Sequence, residues 1–206
     1  PIAFTPVNTT VSNNIGGMES VTRICTQLSI PIIFSSSCSV YGEVKNLPVN
    51  EESELIPLSP YGETKLLCEK ILRWCSISSK LKYVSLRYFN AAGADFDQEI
   101  GENHNPETHL IPLVIRSLNQ DIKLKIFGDD YDTNDGTAVR DFIHVEDVVR
   151  AMIVGLYKAP ACYPINIGSG KGVSIKRIAS IVLKGFGKKV KIQWKSNRPT
   201  GDHKRV

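Results

Sequence analysis

Tyr61 and Lys65 stand in a Tyr-x-x-x-Lys arrangement. On a helix that spacing puts both side chains on one face. A lysine ammonium beside a phenol favours the phenolate and lowers the tyrosine pKa, which makes the tyrosine a usable base near neutral pH. The pair alone carries little weight. With seven tyrosines and 16 lysines among 206 residues, about 0.5 such pairs arise by chance, and two solvated side chains at a helix start are the plain alternative. Ser35-Ser36-Ser37 adds a second piece. It ends an apolar run that reads as a buried strand, and open α/β sheets bind ligands at the carboxyl ends of their strands. A hydroxyl there can hydrogen-bond a substrate oxygen and the tyrosine phenol together; a simple serine turn is the alternative.

These groups need a strand end beside a helix start, and the surrounding residues supply both. Ile30 to Ser36 reads as the strand, with Pro31 near its beginning. Ser59-Pro60 opens a helix, serine as cap and proline in the first turn. That helix runs toward Cys75, with Leu67, Ile71, Trp74 and Cys75 at the spacing of a core stripe. Ile15 to Leu28 predicts an earlier helix and Lys82 to Phe89 the next strand. Beyond Asn90 comes a Gly- and Asp-rich loop, then a helix over Leu110 to Asn119 and a strand over Leu124 to Phe127. An Asp-rich loop from Gly128 to Gly136 leads to a strand over Val139 to Val145. A helix over Glu146 to Tyr157, a strand over Pro164 to Ile167, and a final helix and strand complete the chain. Alternation of the two periods predicts an α/β protein with a domain boundary near residue 90.

Composition narrows the function classes. The chain has 206 residues, 42% of them hydrophobic and 22% charged, with a net charge of +4, which suits a globular protein with a sizeable core. No apolar run is long enough to span a bilayer, and Pro1 to Thr10 lacks the charged start of a signal peptide, so neither a membrane nor secretion is expected. From Lys184 onward eight Lys or Arg face one acid, Asp202. This basic stretch carries just two aromatics, Phe186 and Trp194, which form no aromatic-interleaved patch, and it has no zinc-finger spacing, so nucleic acid is not an expected partner. Five cysteines without a Cys-x-x-Cys read as free thiols in a reducing cytoplasm.

Several motifs read as structural. Gly168-Ser169-Gly170-Lys171-Gly172 lacks the P-loop spacing and predicts a strand-to-helix turn. His104 and His109, in a loop near Glu102, have no helix pairing or further ligand pattern, so no metal is expected. His144 reads as a satisfied supporting histidine rather than a base. The Asp-rich loop does not fit a calcium-binding pattern.

Ser37, Tyr61 and Lys65 in that order resemble the Ser-Tyr-Lys triad of the short-chain dehydrogenase/reductase superfamily, extended type. Arg87-Tyr88-Phe89-Asn90, Gly128-Asp129-Asp130-Tyr131, Asp135-Gly136-Thr137 and Val139-Arg140-Asp141-Phe142-Ile143-His144-Val145 then closely resemble the UDP-glucose 4-epimerase family. The resemblance runs from Asn13-Asn14 to Arg198-Pro199-Thr200-Gly201-Asp202. It implies the later part of a Rossmann-type doubly wound parallel sheet within residues 1–90, which binds NAD, and a smaller α/β domain in 91–206, which can interleave with the first and binds the nucleotide sugar. It implies Tyr61 as the base on the sugar 4-hydroxyl, Lys65 on the nicotinamide ribose and Ser37 as an assistant in proton transfer. Asn13 and Phe89, with the triad, match cofactor contacts. Asn90, His109, Leu110, Lys125, Ile126, Phe127, Arg140, Arg198 and Asp202 match substrate contacts. Among these, Phe127 offers a flat surface to the uracil and Arg140 a planar cation to the diphosphate. UDP-sugar partners, a homodimer built on the helices at Ile15 to Leu28 and Tyr61 to Cys75, and a cytoplasmic location are also implied.

The sequence departs from the family in three ways. It contains no Gly-x-x-Gly-x-x-Gly turn, as though it began after roughly three βα units, on the order of 80–100 residues. It also stops short of the family's end, so the expectation is that this stretch alone binds NAD poorly and turns over little. An extra residue separates Arg198 from Gly201-Asp202. Cys38-Ser39 follows Ser37 where sister dehydratases carry an Asp-Glu pair, which argues for epimerisation over elimination. A UDP-N-acetylglucosamine 4-epimerase, a decarboxylase and an inactive remnant stay open as alternatives.

Overall fold

The computed structural model describes residues 7–44, 46–97, 99–120, 122–158, 162–187, 192–195 and 204–206. A short helix α1 (Val7–Val11) passes through a π-helical turn, Ser12–Gly16, into α2 (Gly17–Leu28). Ser29 ends α2 in the left-handed region, and β1 (Ile32–Ser37) follows. A 3-10 turn, Cys38–Val40, and a long loop lead to α3 (Pro60–Ser79). Its start is local chemistry: Ser59 Oγ accepts the Gly62 N–H and Pro60 occupies the first turn.

Next come β2 (Tyr83–Tyr88), β3 (Asn90–Ala92), α4 (Leu110–Asn119), β4 (Leu124–Phe127) and β5 (Val139–His144). The remainder comprises α5 (Val145–Lys158), β6 (Tyr163–Ile167), β7 (Gly172–Ser174), α6 (Ile175–Gly185), β8 (Ile192–Lys195) and β9 (Lys204–Arg205). One sheet runs β1-β2-β6, all parallel, with Ser37 opposite Tyr88 and Tyr88 opposite Ile167. This sheet therefore draws in β6 from far beyond residue 90. A second sheet pairs β3 and β9 in parallel and β7 antiparallel with β5, and β4 pairs with β8. The α/β expectation holds, with β3, β7 and β9 as short strands that periodicity does not reveal.

The first core gathers Met18, Ile32, Cys68, Leu72, Leu81 and Tyr83 between α2, α3 and the sheet. The stripe expected on α3 is rotated. Leu67 and Trp74 are 42% and 67% exposed, whereas Thr64, Leu66, Cys68, Glu69 and Leu72 face inward. Ile71 and Cys75 only flank the core. The reason is that two polar residues of the inner face have buried partners, Thr64 with Asn14 and Glu69 with Ser36 and Arg87. A second core of Val114, Leu124, Ile126 and Ala179 joins α4, α6 and β4.

The Asp-rich loop is a clamp. Asp135 accepts from the Thr137 N–H at 3.0 Å, from the Thr137 hydroxyl at 2.6 Å, and from the Ser174 hydroxyl. Ser174 in turn caps α6 by accepting the Arg177 N–H. Burial pushes the Asp135 pKa up, but the hydroxyl and amide donors outweigh it and hold the carboxyl below its ordinary range. Stability from such a group is present above the ordinary carboxyl range and is lost as the pH falls through the folded-state value. Asp135→Asn is therefore expected to cost about 1–2 kcal/mol at neutral pH, with its melting curve converging on that of the parent in acid.

Candidate active site

Ser37 is the last residue of β1, and its Oγ accepts the Ser39 N–H at 3.1 Å as the cap of the 3-10 turn. Tyr61 lies in the first turn of α3, near enough to Ser37 that the Ser37 hydroxyl pulls its phenol pKa down, while Ser37 Oγ itself donates to Ser39 Oγ at 3.1 Å. One turn on, Lys65 Nζ donates to the Ser35 carbonyl at 2.8 Å and stands 5.5 Å from the Tyr61 ring centre and 5.0 Å from that of Phe34. Strand end and helix start thus bring all three groups together.

Their electrostatics correct one expectation. Burial pushes the Tyr61 pKa up, and the Ser37 hydrogen bond pulls it down without offsetting that. Burial also pulls the Lys65 pKa down, with Cys68 opposing. Desolvation of the phenolate outweighs the Ser37 hydrogen bond, and the Lys65 ammonium, engaged by the Ser35 carbonyl, is not among the groups that shift the phenol.

Gly62 lets α3 sit this close. A Cβ at Gly62 would stand 2.6 Å from the Ser39 carbonyl oxygen and 3.0 Å from Pro57 Cβ. Gly62→Ala is expected to push the first turn of α3, and Tyr61 with it, off the Cys38–Val40 turn. A stability loss of about 1–3 kcal/mol, read by denaturant unfolding, should accompany a fall in turnover.

Below the triad lies a buried polar network that spacing did not predict. Arg87 on β2 donates to Glu69 of α3 through Nε at 3.0 Å and Nη2 at 2.6 Å, and through Nη1 to the Tyr41 hydroxyl at 2.9 Å. Ser36 donates to Glu69 at 2.5 Å, and Tyr41 donates to Asn166 of β6 at 2.6 Å. Neighbouring strand ends and α3 are thereby tied together directly beneath Ser37. The signal available was Glu69 four residues after Lys65 and eight after Tyr61, on the same face.

A cleft of about 970 Å³ opens beside the strand ends and is lined by Phe89, Asn90, His109, Leu110 and Arg140 among the expected residues. The triad does not line it. Ser37 is linked to it through Tyr88, its partner across β1 and β2, which precedes Phe89. The Phe89 N–H is taken by the Ile167 carbonyl at 3.1 Å. Arg140 donates to the Val139 carbonyl at 2.8 Å. Asp141 is engaged by Ser169 and Gly170, whose N–H groups it accepts at 2.9 and 2.8 Å, so the glycine-rich segment is a turn held by a carboxylate. Lys125 and Phe127 are exposed on β4, but Ile126 points into the second core, 2% exposed, so only its main chain can face a ligand. Asn13 is exposed on the π-helical turn, while Asn14 donates to Thr64 at 2.8 Å. His144 stacks on Phe96 with ring centres 5.1 Å apart and accepts the Glu146 N–H, a supporting role. Arg198 and Asp202 lie outside the described residues.

The parallel α/β sheet, with a serine, a tyrosine and a lysine gathered at its carboxyl end, has the fold of the short-chain dehydrogenase/reductase class. Residues 3–168 match the signature of the NAD dependent epimerase/dehydratase family, and the chain belongs to that family. A UDP-glucose 4-epimerase of Lactobacillus helveticus is 46% identical over 180 residues, which cover 85% of this chain and 54% of that protein. The structure of the Brucella ovis UDP-glucose 4-epimerase with NAD is similar at a TM-score of 0.84 and 39% identity, over 94% of this chain and 61% of that one. That of Bifidobacterium longum, with NAD+ and UDP, is similar at 0.87 and 32%, over 94% and 60%. The chain spans about half the length of the curated relatives it matches.

Proposed function

We propose that this chain carries the catalytic and sugar-binding part of an NAD-dependent UDP-glucose 4-epimerase. The observation that carries the reading is the grouping of Tyr61, the Ser37 hydroxyl and Lys65 where the end of β1 meets the start of α3, one strand away from a cleft lined by Asn90 and Arg140. Tyr61 takes the proton of the sugar 4-hydroxyl and later returns it. Ser37 bonds the same oxygen and holds it at the phenol. Arg140 meets the diphosphate, Asn90 the sugar, and the segment at His109 the nucleotide sugar. Lys125 and Phe127, with the main chain at Ile126 and the Leu110 side chain, bound the nucleotide; Arg198 and Asp202 belong to the same set.

The donor set fits a nicotinamide ribose: a half-buried ammonium beside a phenol at the open end of a parallel sheet. Lys65, Asn13 and the Phe89 main chain would hold NAD, which supplies, when bound, a reversible acceptor for the hydride at the sugar C4. We assign residues up to 90, with α5 and β6, to the NAD-binding part and the rest to the sugar part. Exposed apolar side chains on α2 (Val21, Ile24, Leu28) and α3 (Leu67, Trp74, Ile77) support a homodimer through these helices, which light scattering would show as a doubled mass. No helix among the described residues is long and apolar enough to cross a membrane, and all the cysteines are free thiols, which supports a cytoplasmic protein.

The test is conversion of UDP-galactose to UDP-glucose, with NAD added, by the protein purified at its native length, because the 206-residue stretch alone is expected to bind NAD poorly; UDP-N-acetylgalactosamine is run beside it. Turnover of UDP-galactose upholds the reading, and turnover of the acetylated sugar alone replaces it by the hexosamine epimerase. UDP binding without turnover of either sugar replaces it by a non-catalytic binder.

A further inference from the structure

Glu102, His104, Glu107 and His109, at the lip of the cleft, each aim one ligand atom at a common centre, and those atoms all lie within 4.8 Å of one another. His104 Nδ1 is 3.0 Å from Glu102 Oε1, and His109 Nδ1 meets the same oxygen. The two rings stand edge to face, 5.0 Å between centres, so one carboxylate oxygen sits between nitrogens of two separate imidazoles. Glu107 is oriented independently: its Oε1 accepts the Thr108 N–H at 2.6 Å and the His109 N–H at 2.8 Å. His109 caps α4 in an extended conformation and spends no side-chain bond on the helix, so its ring turns toward Glu102 instead.

The two lone pairs of the Glu102 oxygen can accept from both imidazoles. Hydrogen bonding to Glu102 does not account for a second carboxylate, Glu107, in the same small volume, where two anionic groups repel. A cation between them removes that repulsion. Two imidazole nitrogens and two carboxylate oxygens form a donor set that zinc-class cations take in tetrahedral geometry. Sequence spacing argued against a metal because His104 and His109, with Glu102 nearby, have no helix pairing or further ligand pattern; the fold of the 102–109 segment brings them together with Glu107.

We propose that Glu102, His104, Glu107 and His109 bind one divalent cation of the zinc class at the lip of the cleft. Loaded, the site ties the 102–107 segment to the first turn of α4. This stands whether or not the epimerase reading does, because it needs neither a sugar nucleotide nor NAD.

The test uses the whole chain stripped with EDTA, titrated with Co2+ as a visible probe and with Zn2+ as its competitor. The expected result is one equivalent of cobalt with the visible bands of a four-coordinate N/O site, displaced by zinc. The His104→Gln/His109→Gln double variant should bind about tenfold more weakly or worse. Every cysteine is retained in it, so metal taken up by thiols remains as a common background. Zinc should raise the melting temperature of the parent and not of the variant. If the double variant fails to fold, Glu102→Gln, a change at a partly exposed side chain, makes the same comparison. Equal cobalt affinity and equal melting shifts in parent and variant, or no uptake by the parent above the thiol background, would overturn the proposal.

Discussion

Replacing Tyr61 with Phe is expected to lower turnover of UDP-galactose by about 10²- to 10⁴-fold while UDP binding stays as it was. The ring and its packing survive; only the oxygen that holds the transferred proton is lost. That range corresponds to about 2.7–5.5 kcal/mol of barrier. It belongs almost wholly to kcat, because Arg140 and the cleft lie on other elements. The pH profile gives an independent reading. Burial pushes the Tyr61 phenol up, so turnover should rise with pH as the phenolate forms. A Tyr61→Phe variant with turnover near that of the parent would show that another group holds the proton.

Glu69→Ala should be the most destabilising single change in the first core, about 3–5 kcal/mol, a large share of the total stability of a typical domain. The side chains of Arg87 and Glu69 are only 2% and 9% exposed, and they meet through two parallel hydrogen bonds. Removing Glu69 leaves Arg87 charged and buried, with Tyr41 as its remaining side-chain partner. The cost comes mainly from that orphaned charge, so Glu69→Ala/Arg87→Met should recover a substantial part of it in denaturant unfolding. If the double variant is as unstable as the single one, the pair matters through its geometry rather than through the unpaired guanidinium. Ser36, which donates to Glu69, directly precedes Ser37, so the single variant should also lose turnover beyond what unfolding explains.

Much of this protein is written in near neighbours. The cap at Ser59 and the proline after it set the start of α3, and with it the position of Tyr61 and Lys65. The bounds of α4 at Leu110–Asn119 and of β4 at Leu124–Phe127 follow from hydrophobic periods in the same way. The resemblance of Ser37, Tyr61 and Lys65 to a known triad was legible because two of them share a helix turn and the third ends the preceding strand.

Partners far apart in the chain were not legible. The inner face of α3 could not be chosen by counting apolar residues, because Glu69 faces inward only where Arg87 waits on β2. The side chain of Ile126 turns into a core built with α4 and α6, which removes it from a ligand surface that the strand pattern allowed. Residues 102–109 form a cluster because their loop doubles back over the start of α4, a path that no spacing rule encodes. Caps and periods act across a few bonds and read directly from the chain. The burial of a charge, the meeting of two carboxylates and the pKa of Tyr61 depend on what tertiary packing brings alongside, so only the folded structure decided them.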